Sequence, residues 1–512
     1  MTRNTTFTVA LLPLDDRPVN TSHVAALVRA GGARLLLPPA ALLPSKGVPG
    51  DTDRLAGWLV DAAGESDALV VSVNQLAYGG YVASRRTTHR VDHAFAALDI
   101  LRGIRADHRQ LPIAAYVTVM RTKDADDAGA EPEYWARHGR QFFTLSGELW
   151  RAEHGQESRV EQAVAPIPRA HVTDFFARRL RQHALHLGCL DLVVDGVVDR
   201  MAIAVEDSAV EGVSTSEREW LQAWVRRLGL GDRVRCYPGA DEVAAVLTTR
   251  ALLEHAGRQP NVAVVCADES GLDRVARYED VPVRQTIADQ LSMAGVAVTG
   301  DVAAADLVLA VHPPHHDARD WYRWPLPDGQ PETAGAARLA ARVHELVTAG
   351  RPVTVADVAD ANGADPSLVA ALRSRGVLDR LAGYAGWNTA GNTIGSAIAQ
   401  GSMRLLTTCP EQLAEHSRTV AHRFLEDWGY QSSARGTVLA SANAADTADP
   451  LQAAMVPLQA ATVAGLLADR LADLGPLARR FRLVPHSVRF PWDRPFEIDF
   501  ELKQRADWVD PQ

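Results

Sequence analysis

The sequence predicts an α/β protein built from parallel sheets with helices on both faces. Three observations predict it. Short apolar or β-branched runs recur along the chain, each ends in a polar, Gly- or Asp-rich cluster, and each is followed by an Ala/Leu/Arg-rich stretch of helical character. Near-continuous apolar strands alternating with helices are the pattern of parallel sheets buried on both faces. Right-handed crossovers then place every strand C-terminus on one edge, where α/β proteins bind ligands.

In chain order the runs are FTVALLPLDD, ARLLLPP, ALVVSVNQ, IAAYVTVMR, MAIAVED, VRCYPGADE, NVAVVCADES, VAVTGD, LVLAVHPP, PVTVADVAD and LAGYAGWN. The first six assign an N-terminal α/β domain to residues 1–255, with its largest insertion at about 122–190. The stretch HAGRQPN closes a helical pattern and sets the boundary near residue 255. Residues 256–400 carry closely spaced strands and read as a doubly wound, flavodoxin-like unit. Residues 401–512 read as a helical region whose C-terminal strand packs back on the core. The expectation is therefore two Rossmann- or flavodoxin-like units plus a helical C-terminal region. The alternative is a (β/α)8-like barrel with an additional α/β domain, whose site would also lie at strand C-termini.

Within the last region, LQAAMVPLQAATVAGLLADRLADL reads as a long amphipathic helix kinked at Pro457. The tail alternates at Phe496, Ile498, Phe500 and Leu502, which predicts a half-buried strand with Glu497, Asp499 and Glu501 facing out. The helix and tail could serve either a homodimer or the monomer core.

The chain has 512 residues, 47% of them hydrophobic, enough for two to four domains at about 150 residues each. Its net charge of −10 argues against a nucleic-acid binder, which shows a basic face. The four cysteines form no CxxC pair and suggest neither a disulfide framework nor a zinc–cysteine site. No apolar stretch approaches the roughly 18 residues of a membrane helix. The N-terminal apolar stretch runs straight into charge and reads as a first strand, not a signal peptide. A cytoplasmic protein that binds no membrane is the expectation.

The strand-end clusters carry the chemistry. Asp15, Asp16, Arg17 and Asn20 follow the first run, where capping alone needs only one of them. Asn74, Gln75, Tyr78, Gly79 and Arg85 follow the third; paired amides suit sugar hydroxyls, and Gly79 and Gly80 permit close backbone approach or a plain turn. Arg121 can anchor an anionic group, and Glu131 to Trp135 reads as a lid offering a stacking ring or as a solvated insertion. Three carboxylate pairs close successive runs: Glu206 with Asp207, Asp241 with Glu242, and Asp268 with Glu269. Any single pair is explained by helix capping; three together suit acid–base work on a glycosidic bond, where crowding raises one carboxyl pKa. Asp357, Asp360 and Asn362 lie ahead of Asp365-Pro366, an N-cap and N1 pair. Trp387, Asn388, Thr389 and Asn392 offer a ring and amides for a sugar, or a core anchor with a capping threonine. Around His312, the proline at 314 and the adjacency of His315 and His316 make a tetrahedral zinc pocket awkward, and no HExxH is present.

The segments PLDDRPVN, QLAYGGYVASR, YPGADE, YEDVPVRQ, ADVADANGAD, YAGWNTAGNT, FLEDWGYQ and PWDRPFEIDFEL resemble the bacterial family catalogued as domain of unknown function 4127, from Pro13 to about Leu502. This implies one full-length architecture with a shared site; it implies no activity. The chain departs from the family at Asn74, where members usually carry Asp, and at Glu206, where they often do; if Asn74 replaces a catalytic carboxylate, that role lies elsewhere. A fainter similarity links Pro352–Asp365 to the DxxDNPGGG segment of microcystinase-like zinc hydrolases, whose histidine ligands have no match here.

The function these residues predict is a glycoside hydrolase or related enzyme using paired carboxylates on a small carbohydrate-like molecule, with no cofactor and no metal. Asp16, Asp207, Asp241, Glu242, Asp268 and Glu269 are the acid, base or nucleophile candidates. Asp15, Arg17, Asn20, Asn74, Gln75, Tyr78, Gly79, Arg85, Arg121, Asp360, Asn362, Trp387, Asn388, Thr389 and Asn392 are the binding candidates. The alternatives are a metal-dependent hydrolase of amide or ester bonds using Asp16, Asp357 and Asp360, and a non-catalytic sugar-binding protein.

Overall fold

The computed structural model describes residues 6–45, 47–322, 333–443, 457–484, 486–506 and 508. Each apolar run becomes a strand. In the first half these are β1 (Thr8–Leu12), β2 (Arg34–Leu36), β3 (Ala68–Ser72), β4 (Ile113–Val119), β5 (Arg200–Val205) and β6 (Val234–Pro238). They form one parallel sheet in the order β2-β1-β3-β4-β5-β6. In the second half β7 (Asn261–Cys266), β8 (Ala297–Val298), β9 (Leu307–His312), β10 (Val353–Asp357) and β11 (Gly383–Ala385) form a parallel sheet in the order β11-β10-β9-β7-β8. Both sheets are open, so the barrel alternative does not hold: among the described residues, β2 and β6, and β8 and β11, are unpaired edges. Each sheet reverses strand order beside its first strand, the switch point at whose strand C-termini open α/β sheets place ligands.

The chain divides into two compact units. Unit 1 comprises Met1–Thr21, Ala33–Ala251 and Tyr278–Val281; unit 2 comprises Ser22–Gly32, Leu252–Arg277 and Pro282–Gln512. The helix Ser22–Ala30 therefore follows β1 in sequence but belongs to unit 2.

In unit 1, the buried strand residues Ala10, Leu12, Leu69, Val71, Val117 and Ile203 pack against Leu55, Leu59, Leu98, Leu101 and Leu185 of the crossover helices. β3 ends sooner than its apolar pattern suggests. Ser72 accepts from the Gln75 backbone N–H at 3.3 Å and caps the short helix Val73–Tyr78, so Asn74 and Gln75 stand in a helical first turn. Gly79 closes that helix at φ 75, and a Cβ there would meet the Gly50 carbonyl oxygen at 2.6 Å. The turn and the backbone contact require glycine whatever the site does.

The insertion forms the helices Trp135–Glu153, Val160–Val164 and Arg169–Val194. Trp135 is not a lid ring. It stacks on Phe142 with centroids 5.1 Å apart, within a small core that also holds Leu145, Ile167 and Phe175.

In unit 2, the strand residues Val308, Ala310, Val353 and Val355 share a core with Leu339, Val343, Leu368, Leu372, Leu425, Leu467 and Phe500. An 11-residue π-helix runs over Phe424–Ala434 and buries Glu426, Asp427, Tyr430 and Gln431. The amphipathic helix is described from Pro457 to Asp473; residues 451–456, and with them the expected kink, lie outside the described residues. The tail corrects the alternation. Its strand is β13 (Leu502–Gln504), antiparallel to β12 (Phe481–Leu483), and Glu497 is buried, 3.3 Å from Arg494, rather than facing out. The ion pair to the partly exposed Arg494 holds Glu497 inward against the simple period of two. No helix among the described residues is long and apolar enough to cross a membrane.

Candidate functional site

The predicted site residues divide between the units. Unit 1 holds Asp15 to Asn20, Asn74 to Arg85, Arg121, Asp207, Asp241 and Glu242; unit 2 holds Asp268, Glu269, Asp360, Asn362 and Trp387 to Asn392.

At the strand ends of unit 1, parallel topology gathers side chains from β1, β3, β4, β5 and β6. Arg17 reaches from the end of β1 to two buried carboxylates: its Nε donates to Asp15 at 2.9 Å and its Nη2 to Asp241 at 2.5 Å. Asn20 donates to the same pair at 3.0 and 3.4 Å. A second network lies beside it. Arg85 pairs with Glu206 and, at 3.4 Å, with Glu131. Arg121 pairs with Glu131 at 2.8 Å, Glu206 at 3.3 Å and Asp207 at 2.7 Å. The Tyr81 ring joins the networks, with the Arg85 guanidinium 4.2 Å and the Arg17 guanidinium 5.9 Å from its centroid.

Three arginines thus neutralise most of the acidic charge, and the neighbouring Glu206 and Asp207 are shifted in opposite directions. Burial pushes Glu206 upward, but the Arg85 and Arg121 charges prevail and hold it below the usual carboxylate range. Asp207 goes the other way: burial, aided by the Glu206 charge, raises it against the pull of Arg121. Asp207 also sits at φ 33, a left-handed conformation that costs a non-glycine residue about 1–3 kcal/mol and clusters at functional sites. Its side chain is 32% exposed, so it opens to solvent while Glu206 lies behind.

Several buried polar atoms at this edge have no hydrogen-bond partner: Asn20 Oδ1, Asn74 Nδ2 and Thr122 Oγ1. The Asn74 Oδ1 is used, accepting from the Thr118 backbone N–H at 2.8 Å. Other candidates have local duties. Glu242 accepts from the Ala240 backbone N–H at 2.9 Å and lies against Gly239, where a Cβ would meet its Oε1 at 2.2 Å. Tyr78 is buried. Gln75 packs against Gly50 and Gly80. Asp16 is half-buried.

At the strand ends of unit 2, β9 presents His312 and the following turn presents His315. His312 Nε2 lies 3.0 Å from Asp365 Oδ2. His315 Nδ1 lies 3.5 Å from Asp360 Oδ1, and its Nε2 3.9 Å from Asp365 Oδ2. Asp365 caps the helix Pro366–Ser374 through Oδ1, 2.9 Å from the Ser367 backbone N–H. Asp357, at the end of β10, accepts from the Asp365 backbone N–H at 2.7 Å and the Tyr384 hydroxyl at 3.3 Å. Burial pushes Asp357 up to about 7. Burial also opposes ionisation of Asp365, yet the hydrogen bond from His312 holds it below the usual range. The bond to Asp360 raises His315.

The remaining candidates of unit 2 are less suited to a ligand. Asp268 is tied to Ser270 at 2.6 Å and Arg274 at 2.9 Å, and Glu269 is open to solvent. Trp387 is buried, with the Arg423 guanidinium 5.6 Å from its ring, so it offers no open stacking face. Asn392 donates to the Thr389 hydroxyl at 3.0 Å, a local cap contact. Asn362 (φ 59) and Asn388 (φ 65) adopt the left-handed turn conformation Asn tolerates; the Asn362 backbone N–H donates to the Asn388 carbonyl at 2.8 Å.

Residues outside the predicted set hold both edges together. Tyr81 and Glu131 complete the unit 1 network, although both lie inside motifs visible in the sequence. Asp427 of the π-helix accepts from the Gly386 backbone N–H at 2.8 Å and pairs with Arg423, fixing the turn after β11. An acidic pair within FLEDWGYQ was the available signal, and π-helical turns recur at functional sites.

No curated protein matches the chain. The pattern of the family described as "Protein of unknown function (DUF4127)" matches residues 9–501, which takes in both parallel sheets, apart from the first residue of β1, and both strand-end clusters. The chain belongs to that family.

Proposed function

We propose that the protein is a carbohydrate-active hydrolase that cleaves a glycosidic bond in a small hydroxyl-rich substrate at the strand-end edge of unit 1. The observation that supports this is the opposed behaviour of two neighbouring carboxyls: Glu206 is held below the usual carboxylate range and Asp207 is pushed above it. A pair of titratable groups driven apart by their surroundings is the pattern of an acid and a base in one site. Asp207, the accessible member, supplies the proton to the leaving oxygen. The Glu206 carboxylate balances positive charge at the reacting carbon, a water molecule adds there and returns a proton to Asp207, and Arg121, bonded to both carboxyls, fixes their relation. The unpartnered Asn20 Oδ1, Asn74 Nδ2 and Thr122 Oγ1 are buried groups whose missing bonds a ligand's hydroxyls satisfy.

Turnover of a panel of aryl glycosides tests this. Asp207→Asn and Glu206→Gln are each expected to lower kcat by about 10²–10⁴-fold, the usual worth of a positioned acid or base. Activity should fall on the alkaline side as Asp207 ionises and on the acid side as Glu206 protonates. Wild-type turnover by Asp207→Asn, in protein of unchanged thermal stability, would eliminate the assignment.

A further inference from the structure

We propose that His312, His315 and Asp365 of unit 2 form a binding site for one divalent transition-metal ion of the zinc class. The three side chains each offer a ligand atom, and these atoms lie within 4.8 Å of one another. Two imidazole nitrogens and one carboxylate oxygen are a donor set that zinc and its neighbours accept, leaving a coordination position open.

The surroundings match what such a set needs. Asp365 divides its carboxylate: Oδ1 is fixed by the Ser367 backbone N–H at 2.9 Å, which aims Oδ2 at the two rings, 3.0 Å from His312 Nε2 and 3.9 Å from His315 Nε2. Asp360 Oδ1 sits 3.5 Å from the other nitrogen of His315, the carboxylate–histidine arrangement that orients metal-bound imidazoles. Asp360 is itself anchored, accepting from the Arg319 backbone N–H at 2.8 Å. His312 is itself 3% exposed, and its Nε2 is turned to the Asp365 carboxylate, so the pair is enclosed on one side of the site.

The set also explains why sequence spacing argued against a metal here. The adjacent pair His315 and His316 is not the ligand pair, since His316 Nε2 turns to Arg274 Nη2 at 3.0 Å. The second imidazole comes from the end of β9, and the carboxylate from a helix cap more than 40 residues later. Pro314 thus lies between two ligands instead of blocking them. The proposal is independent of Glu206 and Asp207 in unit 1.

The test uses the full chain without a histidine tag, purified without chelator. Metal content should approach one ion per chain. After chelation, zinc or cobalt should rebind stoichiometrically, raise the melting temperature and give a cobalt absorption band. His315→Gln and Asp365→Asn should abolish stoichiometric uptake. Asp360→Asn, which meets the ligand set only at the far nitrogen of His315, should weaken it about 10–100-fold. His315 is partly exposed, so His315→Gln should fold even if a change at His312 does not. A second cluster, His23, His422 and Glu426, also meets the spacing. His422→Gln is therefore the control and should retain the ion. Failure of zinc, cobalt, nickel and manganese to bind the wild-type chain overturns the proposal. So does uptake lost in His422→Gln but kept in His315→Gln.

Discussion

Acidification from pH 6.5 to about 3 is expected to remove on the order of 4 kcal/mol of stability through His186 alone. Burial, helped by the neighbouring His183, lowers this histidine to about 3. Its ring is fully enclosed, with Nε2 bonded to the Thr118 carbonyl oxygen at 3.1 Å. Above the unfolded value of 6.5 both states are neutral and the contribution is complete. Below it the unfolded chain takes up a proton that the folded ring refuses, so stability falls by about 1.4 kcal/mol per pH unit until the folded value is reached. His416 in unit 2, lowered to about 4 by burial and bonded to the Ala382 carbonyl at 2.8 Å, has the same sign over a narrower window. Carboxyls held above their usual range, such as Glu217 in unit 1, contribute with the opposite sign. The measurement is therefore a difference: urea unfolding of wild type and His186→Gln between pH 7.5 and 4. The two curves should converge as pH falls, and a constant gap would show that His186 charges readily in the folded protein.

Replacement of Arg17 by Met should cost about 3–5 kcal/mol, the usual penalty for removing one partner from a buried ion-pair network. The guanidinium stands between Asp15 and Asp241, and all three side chains are 5% exposed or less. Without it two carboxylates, both bonded by Asn20, would remain in a low-dielectric site stripped of their shared cation. The damage is then electrostatic, and it should be relieved by neutralising the carboxylates. The triple change Arg17→Met, Asp15→Asn and Asp241→Asn should recover most of the lost stability, although the single change Asp241→Asn in the wild-type background should not stabilise. Chemical denaturation checks both. A loss below about 1 kcal/mol for Arg17→Met would mean the network is hydrated and behaves as a surface pair.

Much of this architecture was legible in the residues. All the apolar runs became strands because a strand buried on both faces needs little beyond uninterrupted β-branched and aliphatic side chains, and VAVVC or LVLAV has few other uses. The Asp365-Pro366 cap was equally plain, since its bonds are made within a few residues. Where pattern met tertiary contact it failed. Glu497 occupies an outward position in an alternating tail yet is buried beside Arg494. Trp135 and Trp387 resemble sugar platforms in sequence, but one stacks on Phe142 and the other meets Arg423.

The candidate sites divide in the same way. That Asp, Glu, Asn and Arg close the strands follows from the sequence, because strand ends are local features and parallel topology brings them to one edge. Which carboxyl is pushed up and which is held down does not. Glu206 and Asp207 are chain neighbours of similar chemistry, separated only by how many guanidinium groups each meets and how deeply each is enclosed. Nor does spacing reveal that His312 and His315 meet Asp365, because their proximity depends on the register of β9 against β10. Secondary structure and its apolar faces come from short-range steric preference and burial, which each segment carries in itself. Charge state and ligand geometry come from groups dozens to hundreds of residues apart, and only the folded chain sets those distances.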